Sequence, residues 1–164
     1  MKYYIAPSHY AGKQTFIVRD EEKNKTYEVR GRVFISLRWL ELRHIDGTLL
    51  YRARRRFTVG LHRRYDIQDA NGRRLGSVGR TYGPFRPTFS IQLEDKTYHI
   101  VGSLFQHDFA LVCEGDTACQ VEKKVFSDGD AFEITVETKE RPGLYLFVLL
   151  LIDQFIHEKK RFFR

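Results

Sequence analysis

Nine consecutive apolar residues, Leu144 to Ile152 (LYLFVLLLI), stand near the end of a chain in which 30% of residues are charged. As a helix this run has no polar face, and such a helix belongs either in a bilayer or wholly inside a protein. Length separates the two. A membrane span takes about 20 largely apolar residues, but Asp153 and Gln154 end this run and His157-Glu158-Lys159-Lys160 follow. Nine residues at roughly 1.5 Å each cover about half of a bilayer core. Pro142-Gly143 breaks the preceding strand, and the residues after it are mostly good helix formers. The segment reads as a buried helix over about residues 143–158, and the rest of the chain has to enclose it.

What precedes it is a repeat of hairpins. TFIVRD leads to TYEVRG, and WLELRHIDGTLLYRA has Asp46-Gly47 at its centre. YDIQDANGRRLGSVGR turns at Asn71-Gly72, FSIQLEDKTYHIVG at Glu94-Asp95-Lys96, and FALVCEGDTACQVEKK around Gly115-Asp116. AFEITVET comes last, with no partner arm evident. Period-2 alternation marks strands with one buried face. Asp-Gly and Asn-Gly between such runs signal two-residue hairpins whose turn positions both need positive φ. Starts at Phe16, Leu40, Tyr65, Phe89, Phe109 and Phe132 are spaced by 24, 25, 24, 20 and 23 residues. With YYI at residues 3–5 the count reaches about twelve strands between residues 3 and 138. A sheet of that size splits into a sandwich or closes into a barrel that removes its edges. A closed barrel of this size cannot be filled by strand side chains alone. The expected fold is therefore mainly β: an antiparallel closed barrel of about twelve strands around the hydrophobic C-terminal helix, as a single domain over residues 1–164.

The order of FIVRD, TYEVRG, LELRHIDGTLL, RYDIQDANGRRLGSVG, FSIQLEDKTYHIVG, SDGDAFEITVE and LYLFVLLLIDQFI resembles the LURP-one-related family. Its relatives are the Tubby C-terminal domain and the phospholipid scramblases. The resemblance spans nearly the whole chain and implies a twelve-stranded barrel around a central C-terminal helix. It also implies a link to anionic lipids, since the Tubby domain binds phosphoinositides. Tubby domains are longer, and no lipid-binding Lys/Arg motif of theirs aligns with this chain residue by residue.

Signs of enzyme chemistry are sparse. The six histidines form no HExxH or i, i+4 pair, and Cys113 and Cys119 are neither CxxC nor numerous enough for a disulfide scaffold. MKYYIAPSHY has no long apolar region of a secretory signal. The expectation is a non-enzymatic, cytoplasmic protein, peripheral to a membrane, with reduced cysteines as small apolar fillers on neighbouring strands and no cofactor. His107-Asp108 reads as a loop histidine beside a strand-opening aspartate. Gly76-Ser77-Val78-Gly79 lies in a strand pattern rather than opening a helix, so it is no phosphate loop. Asp128 and Asp130 are the weak calcium candidates, and the strand residues Phe132, Ile134 and Val136 leave no room for a full calcium loop.

The charge is uneven. Net charge is +7, yet Arg52 to Arg86 alone holds ten arginines, no lysine and two aspartates. Such asymmetry bears on partners rather than on fold. Arg52, Arg54 and Arg56 share one strand face, expected to point outward, with Arg63 and Arg64 across the following loop and Arg73 and Arg74 at the next hairpin. Arg80 and Arg86 flank the aromatics Tyr82 and Phe85 in RTYGPFRPTF. Guanidinium groups suit phosphate because the planar fork binds two oxygens at once. Aromatic rings beside them suit a lipid interface or stacking on nucleobases. The expected partner is an anionic phospholipid or phosphoinositide headgroup. The alternatives are nucleic acid on the same surface, or a scaffold for protein partners.

Overall fold

The computed structural model describes residues 1–5, 15–33, 38–56, 62–81, 88–127 and 129–162. Twelve strands run β1 (Lys2–Ile5), β2 (Thr15–Arg19), β3 (Lys25–Val33), β4 (Arg38–His44), β5 (Leu49–Arg56) and β6 (His62–Asp69). They continue as β7 (Arg74–Thr81), β8 (Thr88–Leu93), β9 (Lys96–Ser103), β10 (Asp108–Cys113), β11 (Asp116–Phe126) and β12 (Gly129–Val136). One helix, α1 (Pro142–Phe162), follows. Every strand pairs antiparallel with its sequence neighbours, and β1 pairs with β12 through Lys2–Thr135 to Ile5–Phe132, which closes the barrel. The segment expected to lack a partner is therefore paired twice, with β11 and with β1.

Because the strands run up and down in order, the connections alternate between two ends. At one end, here the turn pole, the hairpins are tight and α1 enters the barrel. At the other, the loop pole, β9 joins β10 through Leu104–His107 and β11 joins β12 past Ser127. The turn-pole hairpins differ in one respect from the two-residue expectation. Gly47 and Gly72 have φ of +93° and +83°, but Asp46 and Asn71 before them do not have positive φ. Each turn is one residue longer: Gly47 N donates to His44 O and His44 N to Thr48 O, and Gly72 and Asp69 repeat the pattern. The bulged register beside both turns, at Leu42/Arg43 and Ile67/Gln68, belongs to the same arrangement. Asp46 and Asp69 stabilise it by accepting backbone N–H bonds from Thr48 (2.8 Å) and from Asn71 and Arg73 (3.0 and 2.9 Å). Glu114-Gly115, with φ of 52° and 90°, is the two-residue form.

The interior is filled by α1. Leu146, Phe147, Val148, Leu149, Leu151, Ile152 and Phe155 are all buried against inward residues such as Val29, Leu42, Ala53, Ile67, Val78, Ile91 and Leu111. Each large apolar side chain so buried contributes about 1.5–3 kcal/mol relative to exposure. Ring contacts join helix to wall: Tyr51 stacks on Phe147 at 6.2 Å, and Tyr65 and Phe89 meet Phe155 edge-on at 5.3 and 5.9 Å. Polar ties fix the depth of the helix. The Tyr98 and Tyr145 hydroxyls share a hydrogen bond of 3.0 Å, Arg141 pairs with Glu94, and His107 Nδ1 lies 3.4 Å from Asp153. Beside Leu149 and Asp153 the space left open is about 20 Å³, room for about one water. The helix is a plug, and no described helix is long and apolar enough to cross a membrane. It extends beyond the expected end because His157 to Arg161, although polar, are mostly tolerant of helix, and Phe162 follows.

Candidate anion-binding face

Alternation on β5 decides which arginines reach the outside. Ala53 is fully buried, so Arg52, Arg54 and Arg56 lie on the outer face, while Arg55 shares the inner face with Ala53. On β6 the buried Tyr65 and Ile67 put Arg64 and Asp66 outside. Pairing places Arg54 opposite Asp66 and Arg56 opposite Arg64. Asp66 then becomes a hub. Its Oδ2 is 2.9 Å from Arg56 Nε, and its Oδ1 lies 3.2 Å from Arg64 Nε and 3.5 Å from Arg74 Nη2. Three guanidinium groups around one carboxylate, with Arg54 at the position across the strands from it, leave an excess of three positive charges on an exposed sheet surface. The half-buried Trp39, the chain's single tryptophan, is opposite Arg54 on its other side.

Other arginines of the expected set are used differently. Arg52 points outward but is committed to Glu41, whose Oε1 accepts its Nε and Nη2 at 2.9 and 2.6 Å. Arg43 binds the other oxygen, Oε2, at 2.9 and 2.7 Å, leaving Glu41 buried under two guanidinium groups. Burial would raise the Glu41 pKa, but the hydrogen bonds and charges of Arg43 and Arg52 outweigh it and hold it below the ordinary value. A depressed folded-state pKa stabilises in full above the unfolded-state value and is lost as pH falls through the folded one. Glu41→Gln is thus expected to be less stable than wild type at pH 7, with the gap closing below about pH 4. Urea denaturation across pH checks this; a gap that widens toward acid would contradict it. Arg73 pairs with Asp69 in its own turn, Nε to Oδ2 at 3.3 Å.

Two members of the expected set face the wrong way for an external ligand. Arg80 is 3% exposed and points into the barrel, where its Nη1 donates to Phe155 O of α1 at 2.7 Å and its guanidinium lies 5.5 Å from the Phe89 ring centre. It lies on β7, two residues from the inward Val78, rather than in the loop that follows. Arg63 is paired with Arg80 and shares the inner face of β6 with Tyr65, half-buried at the loop pole. Both are structural partners of the barrel's inside. Arg86, Tyr82, Phe85 and Asp128 lie outside the described residues, as does the side chain of Asp130. Among the described residues no group of three or more His, Cys, Asp or Glu side chains is placed to hold a metal. Cys113 and Cys119 are both free, and burial pushes the Cys119 thiol pKa well up. Asp66, Glu41 and Trp39 were not expected as parts of this face. The available signal was strand parity, since the inward Leu40 and Leu42 turn Trp39 and Glu41 outward.

The model of the LURP-one-related family matches residues 1–153. The chain belongs to the LURP-one-related family. A solved X-ray structure of a protein from Arabidopsis thaliana superposes with a TM-score of 0.67 at 16% identity, covering 94% of this chain and 90% of that one. That likeness shows that the two share a fold. No curated protein matches the chain.

Proposed function

We propose that this LURP-one-related protein is a non-enzymatic module that docks on anionic phospholipid headgroups through Arg54, Arg56, Arg64 and Arg74. The supporting observation is the hub at Asp66: three guanidinium groups share one carboxylate and Arg54 stands opposite it, so hydrogen-bonding capacity and charge are left over on the outer face. Phosphate oxygens suit both. Each basic side chain near an anionic leaflet contributes about 1 kcal/mol.

Wild type is expected to sediment with vesicles of phosphatidylcholine and phosphatidylserine and not with phosphatidylcholine alone. Arg54→Glu with Arg56→Glu is expected to weaken this about thirtyfold or more. Because both side chains are exposed, the thermal midpoint should stay within a few degrees. Equal binding to neutral and anionic vesicles, or none to either, would end the proposal. An equimolar single-stranded oligonucleotide that strips the protein from vesicles would favour nucleic acid as the partner instead.

A further inference from the structure

The two poles of the barrel differ in chemistry. Six large apolar side chains stand exposed among the described residues, and four belong to the loop-pole half: Val101, Phe105, Val125 and Phe126. Val125 is 80% exposed and Phe105 66%, each at or beside a hairpin tip. Phe126 meets Tyr4 edge-on at 6.0 Å and is still 44% exposed. Trp39 stands at the loop-pole end of β4, beside Arg54. The same end carries Arg56, Arg64, Lys123 and Lys124, the last paired with Glu122 at 2.6 Å. The turn pole is the reverse. Its hairpins, Asp20–Asn24, His44–Thr48, Asp69–Arg73, Glu94–Lys96 and Glu114–Asp116, carry nine carboxylates against three basic side chains.

Among the described residues one end of the barrel is apolar, with basic side chains in excess over Asp108 and Glu122, and the hairpins of the other are acidic; such a barrel turns its first end toward an anionic surface. Resting on the docking reading above, we infer that the loop pole enters the headgroup region of an anionic bilayer. Phe105, Val125 and Phe126 lie at the acyl boundary, Trp39 lies at headgroup level, and the turn pole stays in water. Phenyl and indole rings favour that boundary layer, and the surrounding cations match its charge. Docking is then end-on and shallow: the loop-pole ends of β5–β6 and of β11–β12, on opposite sides of the barrel, both meet the leaflet, and Arg74, at the far end of β7, adds only its charge.

Single-tryptophan variants in a Trp39→Phe background test the orientation. Vesicles contain phosphatidylserine and a phosphatidylcholine brominated on its acyl chains. Phe105→Trp and Phe126→Trp emission should move to shorter wavelength and be quenched on binding, whereas Ile45→Trp at the turn pole should not respond. In the otherwise unchanged protein, Phe105→Ser with Phe126→Ser should weaken vesicle binding about tenfold or more, as two partly buried rings imply. Because both rings are exposed, the thermal midpoint should hold. Equal response at both poles, or unchanged affinity of the serine variant while wild type still sediments, would overturn the orientation and leave docking intact. A blue shift at residue 105 that grows with protein concentration without lipid would overturn it in favour of contact between copies. Failure of wild type to sediment would remove both ideas.

Discussion

Val148→Asp is expected to yield no cooperatively folding protein. Val148 is fully buried about a third of the way along α1, enclosed by the barrel wall. A carboxylate there must either stay charged without a partner or take up a proton and remain without hydrogen bonds. Either state costs several kcal/mol, against a total stability of about 5–15 kcal/mol for a typical domain. The loss is larger than that of a cavity, because α1 is the core itself: without it the sheet has no apolar partner. Phe147→Ala, which only empties space beside Tyr51, should cost about 3–5 kcal/mol and still fold. Circular dichroism melts compare the two. A soluble Val148→Asp protein with a sharp transition near wild type would contradict the plug.

The second large effect is expected from the smallest substitution, Gly76→Ala. Gly76 lies opposite Leu93 where β7 and β8 come close, and a Cβ there would stand 2.0 Å from Gln92 O and 2.9 Å from Leu93 Cα. Both are backbone atoms of a hydrogen-bonded strand, so no side-chain rotation relieves the overlap. A cost of about 3 kcal/mol or more follows, lowering the thermal midpoint by roughly 6–12 °C. Gly79 is the control three residues on. A Cβ there meets nothing nearer than 3.5 Å, and Gly79→Ala should cost less than about 1 kcal/mol. Equal melting of the two variants would show that the β7–β8 approach is not a constraint.

The barrel and its plug were legible because the signals for them are local and repeated. Alternation with turn residues recurs every 20 to 25 positions, and an apolar run too short for a bilayer has only one soluble solution. The arginine face was legible only in outline. That Arg54 and Arg56 point outward follows from Ala53 alone, and that Arg64 does follows from Tyr65. By the same parity Arg80 goes with Val78 and Arg63 with Tyr65, so their inward direction was readable, but a charged residue near a strand end invites an outward reading. Which arginines are neutralised was not readable. That Glu41 holds Arg43 and Arg52, and that Asp66 faces Arg54, depends on cross-strand register. The bulges at Leu42/Arg43 and Ile67/Gln68 shift the β4–β5 and β6–β7 registers by one residue, while β5 and β6 pair without a shift, and no spacing along the chain reports either. Arg74 reaches Asp66 for the same reason, since the extra residue Leu75 displaces the strand beside it.

In the proposed docking the outside of the barrel meets an anionic surface while the apolar helix stays inside. Hydrogen exchange on the amides of Leu146 to Ile152 tests this most directly, followed with and without phosphatidylserine-containing vesicles. Exchange is expected only through global unfolding, at the slowest rate in the molecule, and unchanged when the vesicles are bound. Faster exchange of these amides than of the β5–β6 hairpin, or protection that changes on binding while the strands open, would mean that the helix leaves the barrel for the lipid.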